Sequence, residues 1–148
     1  MISRLGGAVS RVITRRALVV VEFHHVDMMH VVHNAHYLTW FELGRLAVLE
    51  GVFPMSWAVE NRIATPVVVN HCEYLQPAAY GDELVVTTRH KLLERWEGRF
   101  HFEHAISNAR TKRELATGYS AVTILDMAGG KLVKEIPPEI WARYLELE

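Results

Sequence analysis

The sequence predicts a small α+β domain in which one antiparallel sheet wraps around a single long buried helix. Three observations predict it. Residues 17–23 form a near-continuous apolar run, as in a strand covered on both sides. Residues 35–51 carry Tyr37, Leu38, Trp40, Phe41, Leu46 and Leu49 around most of a helical circumference, the pattern of a buried helix. After Pro66 the chain divides into strand-length segments separated by turn residues. At 148 residues the chain suits one domain with a proper core.

Residues 1–16 contain Arg4, Arg11, Arg15 and Arg16 and no acidic residue. They lack the long apolar region and cleavage site of a secretory signal, and an Arg-rich, acid-free composition also fits a transit peptide. A partly ordered basic tail over 1–16 is expected, followed by one domain over 17–148. Residues 24–34 are polar and His-rich. Asn34 is placed to cap the helix through its amide oxygen, and Gly51 to end it. Strands follow over 67–74, 83–94, 99–108 and 114–126. Their turns fall at Gln76-Pro77 with Gly81-Asp82, at Glu97-Gly98 and at Thr111-Lys112-Arg113. Phe100, Phe102, His104 and Ile106 alternate onto one face. Gly129-Gly130 turns the chain again, and Pro137-Pro138 introduces a short helix over 139–144. The outer face of such a sheet needs cover, so dimerisation is expected.

Sixteen basic against seventeen acidic residues give a net charge of -1, which argues against a dedicated nucleic-acid binder. No apolar run approaches the ~18 residues of a membrane span. The single cysteine, Cys72, excludes an intrachain disulfide and a four-cysteine zinc site. It suits a reducing compartment, so a cytoplasmic location is expected.

Five of the nine histidines fall between His24 and His36, which makes that segment the place to look for chemistry. Three readings are open. Asp27 ends a strand just before a helix start, where unpaired N–H groups could polarise a carbonyl while the carboxylate attacks it or activates water. Asp27, His30, His33 and His36 recur every three residues and are competent metal ligands, but on a helix they would fan apart, and no H-E-x-x-H pair is present. Asp27 with His33 could also serve hydratase chemistry, which needs only an acid and a base. As a bland alternative, Asp27 caps a loop.

The run Asp27, Val31, Val32, Asn34, Tyr37, Leu38, Phe41, Glu42 and Arg45 resembles the hotdog-fold acyl-CoA thioesterases of the 4-hydroxybenzoyl-CoA thioesterase-like group. Glu73-Tyr74-Leu75-Gln76-Pro77, Tyr80-Gly81-Asp82-Glu83-Leu84, Ala116-Thr117-Gly118 and Ile136-Pro137 are similar as well, so the resemblance runs from about Ala17 to the C-terminus. It implies a hotdog fold, two such subunits side by side as a homodimer or a tetramer of dimers, and an acyl-CoA substrate. It also implies Asp27 as the catalytic carboxylate, helix-start N–H groups near Asn34 around the thioester oxygen, and Tyr37 in the pocket wall. Ala35, His30 and His33 are further oxyanion or pocket candidates from their place in the segment. No cofactor or metal is implied. Glu42 and Arg45 are spaced to pair with each other.

The chain departs from the family pattern in three places. His30 stands where the family has Gly, and an inward-pointing imidazole there would narrow the pocket. His36 replaces a small or amide residue. The basic triplet that binds coenzyme A phosphates in some members reads Trp96-Glu97-Gly98, which leaves Arg95, Arg99, Arg110, Lys112 and Arg113 as phosphate contacts. The expected activity is thioester hydrolysis. The alternatives are a non-catalytic acyl-binding subunit and a thioester hydratase.

Overall fold

The computed structural model describes residues 9–148. Strand β1 (Val9–Val20) leads through a one-turn 3-10 helix (Phe23–His25) to α1 (Ala35–Leu49) and the short α2 (Met55–Glu60). There follow β2 (Ile63–Ala64), β3 (Val67–Tyr74), β4 (Glu83–Leu93), β5 (Phe100–Asn108), β6 (Glu114–Val122), β7 (Leu125–Asp126), β8 (Lys131–Leu132) and α3 (Pro138–Leu145). Among the described residues, five strands form one antiparallel sheet in the order β1-β4-β5-β6-β3, and β2-β7-β8 form a small second sheet. Helix α1 packs on one face of the large sheet, against β1 and β4 above all. This is the wrapped-helix arrangement expected of a hotdog fold.

Strand β1 begins earlier than the sequence suggests and takes in residues 9–16 of the expected tail. Arg11 and Arg15 share the strand face of the buried Ile13 and are half-buried, whereas Arg16 lies on the other face and is exposed; an edge strand lets such side chains reach solvent. Residues 1–8 lie outside the described residues. The expectation that residues 17–23 are covered on both sides does not hold within one chain. Leu18 and Phe23 are 80% and 83% exposed, while Val21 is buried.

One further expectation is corrected. Helix α1 is buried on one side only: Tyr37, Trp40, Phe41, Arg45 and Val48 face inward, whereas Thr39, Glu42 and Leu43 are exposed. The outer face of the sheet is mixed: Glu103 lies 3.8 Å from Arg89 and 3.9 Å from Lys91, and Val12, Leu18, Val20 and Tyr119 are exposed on the same face.

The helix approaches the sheet closely at two glycines. A Cβ on Gly44 would overlap the Thr88 hydroxyl, and one on Gly118 would overlap the Phe41 ring and the His71 carbonyl. Between the strands and α1 the core falls into two apolar clusters. One holds Val48, Leu92, Phe100, Phe102, Val122 and Tyr144. The other holds Tyr37, Phe41, Leu84, Val86, Ile106 and Ala116 and supports the start of α1. Along every element the buried polar residues Arg45, Thr88, His104 and Ser120 fall between the two clusters.

Candidate functional site

Asp27 opens a tight loop. Its N–H donates to the Val31 carbonyl (3.0 Å), the His30 N–H donates to the Asp27 carbonyl (3.0 Å), and Val26 bridges Val32. This three-residue hairpin closure needs a left-handed residue at its last position, and His30 supplies it with φ 62°. That requirement explains glycine at this place without any appeal to a ligand. His30 is exposed and does not line the cleft described below, so the expected inward imidazole is corrected: the turn directs it to solvent.

The Met29 N–H donates to Asp27 Oδ1 at 2.8 Å, the loop-capping contact of the bland reading. Oδ2 has no hydrogen-bond partner among the described residues. One carboxylate oxygen therefore fixes the loop and leaves the other available for chemistry.

The start of α1 is built by His33, not Asn34. Asn34 already has helical torsions (φ −55°, ψ −32°), and its side chain makes no capping hydrogen bond. Instead His33 Nδ1 accepts from the Ala35 N–H (3.1 Å), and the His33 carbonyl accepts from the His36 N–H (3.1 Å). The Asn34 carbonyl accepts from the Tyr37 N–H (3.2 Å) and from the Tyr74 hydroxyl (3.2 Å). Among the described residues the Asn34 N–H has no partner, so it is the open donor of the first turn, whereas that of Ala35 is taken.

These groups meet at an open cleft of about 490 Å³, with Asp27, His33, Asn34 and Tyr37 on one side and Tyr74, Leu75, Gln76 and Pro77 on the other. Tyr37 is buried and meets the Tyr74 ring edge-on at 5.1 Å, and its burial pushes the phenol pKa up. The β3 exit was not legible as a cleft wall from composition, although an aromatic residue just before a Gln-Pro turn marks where a strand ends beside the helix start.

His24, His25 and His36 form a ring cluster beside Trp40. The His25 ring lies 4.0 Å from His24, 4.9 Å from His36 and 5.3 Å from Trp40. Burial lowers the His25 pKa, and the neighbouring His24 and His36 add to the effect. Among the described residues no three His, Cys, Asp or Glu side chains are arranged to hold a metal ion.

The five basic residues expected at the phosphates do not act together within one chain. Arg95 and Arg99 flank the β4–β5 turn, with Arg95 3.6 Å from Glu97. Arg110, Lys112 and Arg113 occupy the β5–β6 turn, at the opposite end of β5 and roughly 25–30 Å away at the usual strand rise. Leu75 and Gln76 donate to the Leu115 carbonyl, so only the second group shares the cleft's end of the sheet, and none of the five lines it. Glu42 and Arg45 do not form an ion pair. Arg45 is turned into the core, where Nη1 donates to Ser120 Oγ at 3.1 Å, and burial lowers its pKa against the opposing influence of Glu42.

The profile of the thioesterase-like superfamily matches residues 21–144, which span β1's end to α3 and contain the whole cleft. The chain belongs to the thioesterase-like superfamily. The long-chain acyl-CoA thioesterase FadM of Escherichia coli (strain K12) is 33% identical over 69 residues, covering 47% of this chain and 52% of FadM. YneP of Bacillus subtilis (strain 168) is 35% identical over 69 residues, covering 46% of this chain and 50% of YneP. The chain thus matches about half the length of each of these two superfamily relatives. The 1,4-dihydroxy-2-naphthoyl-CoA thioesterase of Synechocystis superposes with a TM-score of 0.75 at 19% identity, over 90% of this chain and 97% of that one. That likeness establishes the hotdog fold for this member of the superfamily.

Proposed function

We propose that the chain hydrolyses an acyl-CoA thioester to the free acid and coenzyme A. The observation that carries this reading is that one cleft is lined by both Asp27, with an oxygen that has no hydrogen-bond partner among the described residues, and Asn34, with the open N–H of the helix start. The thioester carbonyl oxygen would accept from the Asn34 N–H, aided by the positive end of the α1 dipole. Asp27 Oδ2 would then either take a proton from the attacking water or itself attack the carbonyl carbon, giving a mixed anhydride that a water later hydrolyses to the free acid; on either route the C–S bond breaks and coenzyme A leaves as its thiolate. Tyr37 and Tyr74 would border the acyl group. Superfamily membership and relatives named as acyl-CoA thioesterases support the same reading.

The cleft lies at the β3 edge of the sheet, so a homodimer, or a tetramer made of two, would close it with a second copy. A cytoplasmic location goes with this reading. No helix among the described residues is long and apolar enough to cross a membrane. Release of free thiol from a panel of aliphatic and aromatic acyl-CoAs tests the proposal. Binding without thiol release on every substrate would favour a non-catalytic subunit, and hydration of an enoyl-CoA without thiol release would favour the hydratase.

A further inference from the structure

We propose that His33 is a positioning residue that holds the candidate oxyanion donor in place only while its imidazole is neutral. Its N-cap role is filled by Ser, Thr, Asp or Asn in most helices, because their oxygens can only accept from the backbone N–H or do so without gaining charge. His33 reaches the same geometry through Nδ1, which accepts from the Ala35 N–H at 3.1 Å and therefore carries no proton. The single proton of the ring then sits on Nε2.

The consequences for the site follow from the hydrogen bonds on either side. The His33 N–H donates to the His25 carbonyl at 2.9 Å, and the His33 carbonyl accepts from His36, so the residue is tied to the preceding loop and the helix at once. Asn34 lies directly after it, with its carbonyl held by Tyr37 and Tyr74 and its N–H open. A proton on Nδ1 would set N–H against N–H and add a positive charge to a helix N-terminus, where the macrodipole opposes it. The cap would open, and the Asn34 donor would lose its fixed direction.

Other titratable groups surround His33. His36 of the same helix has its ring 6.2 Å away. From the preceding turn come His25 and, 4.0 Å from it, His24, whose Nδ1 lies 3.4 Å from Glu22. Asp27 and Tyr74 share the cleft with it.

Only the kinetic half of the test rests on the thioesterase reading. Amide hydrogen exchange of Ala35, followed by NMR in the full-length protein at about pH 5 and about pH 7.5, reads the cap itself. Ala35 should be protected in the wild type at the higher pH, lose at least about tenfold of that protection at the lower, and be unprotected in His33→Ala at both. His33→Asn, which keeps an acceptor but cannot be protonated, should be protected at both. With benzoyl-CoA and decanoyl-CoA as probes, His33→Ala should lower kcat about tenfold with KM within about twofold. His33→Asn should recover the rate to within about threefold and flatten the fall in kcat on acidification. Equal Ala35 protection in the wild type and His33→Ala, or the same acid limb in the wild type and His33→Asn, overturns the proposal. If no protein releases thiol, the hydrolase reading fails and the exchange data alone decide the role of His33. If His33→Ala does not fold, the wild-type and His33→Asn exchange data still decide it.

Discussion

The imidazole of His104 lies nearly parallel to the Phe41 ring, 4.4 Å between centroids and 9° from coplanar. The helix thereby sets an aromatic face over a polar layer in the middle of the core. His104 Nδ1 is 2.9 Å from Thr88 Oγ1 and Nε2 is 2.8 Å from Ser120 Oγ, which also accepts from Arg45. The Ser120 hydrogen is then free for Nε2, and the His104 proton on Nδ1 goes to Thr88. Both ring nitrogens are thus partnered by hydroxyls with the imidazole neutral, and a second charge beside Arg45 would have no counterion in the layer.

Stability should fall on mild acidification for this reason. Burial, with the Arg45 charge adding to it, holds the His104 pKa down to about 3. Burial holds His90 down to about 4, in a chain where the Leu93 N–H donates to the Tyr144 hydroxyl and the latter lies 3.0 Å from His90 Nε2. Both values lie below the ordinary 6.5 of the unfolded chain, so unfolding takes up protons between them. The stabilisation is complete above about pH 6.5 and is lost progressively as the pH falls towards 4 and then 3. Urea midpoints at about pH 7 and about pH 4.5 measure it. An unchanged midpoint would show that these imidazoles are not held neutral by the fold.

The same layer shows what the sequence makes legible and what it hides. The strand over Val67–Tyr74 could be read to its last residue because Gln76-Pro77 stops it, and the alternation of Phe100, Phe102, His104 and Ile106 gives the buried face of β5 correctly. Arg45 was expected to meet Glu42 because local spacing is all a sequence displays. Its actual partner, Ser120, is 75 residues away and is brought there by sheet packing. The two-residue strands β2, β7 and β8 are too short to carry a periodic signal, and α2 spans less than two turns. At the candidate site, the pattern puts the helix start just after Asn34, where α1 begins. The cap was not legible, since an Asn before a helix is the ordinary cap and a His is not.

Asp27→Asn should leave the fold intact and lower thioester hydrolysis by at least about 10²-fold. The amide can still accept from the Met29 N–H through its oxygen, so the loop keeps its contact while the site loses its base or nucleophile. Near wild-type kcat in that variant would remove Asp27 from the mechanism, and circular dichroism would confirm that the comparison is between folded proteins.

The protein should be at least a dimer at micromolar concentration. The argument rests on the sheet's edge, because the outer face mixes the Arg89–Glu103 and Lys91–Glu103 pairs with the exposed Leu18 and Val20. Strand β3 ends the sheet with an unpaired row of backbone groups, and Tyr74 and Leu75 beside the cleft are 48% and 49% exposed. A second copy would satisfy both. Light scattering across a dilution series measures the state, and an active monomer would contradict the expectation.

His30→Gly is the sharpest check on how the loop is read. A non-glycine residue at φ 62° carries a cost of about 1 kcal/mol that glycine does not, and glycine gives back part of the gain as freedom in the unfolded chain. The variant should therefore be slightly more stable, by about 0.5 kcal/mol, and not less. Because the imidazole is exposed and off the cleft, the relative rates on short, long and aromatic acyl-CoAs should stay within about twofold of wild type. Urea unfolding and a chain-length series together decide the matter. A His30→Gly protein that accepts bulkier acyl groups would place the imidazole in the pocket of the working enzyme. One that loses turnover on every substrate would make His30 a participant in the chemistry, and the turn would then be strained for the sake of the reaction and not of the hairpin.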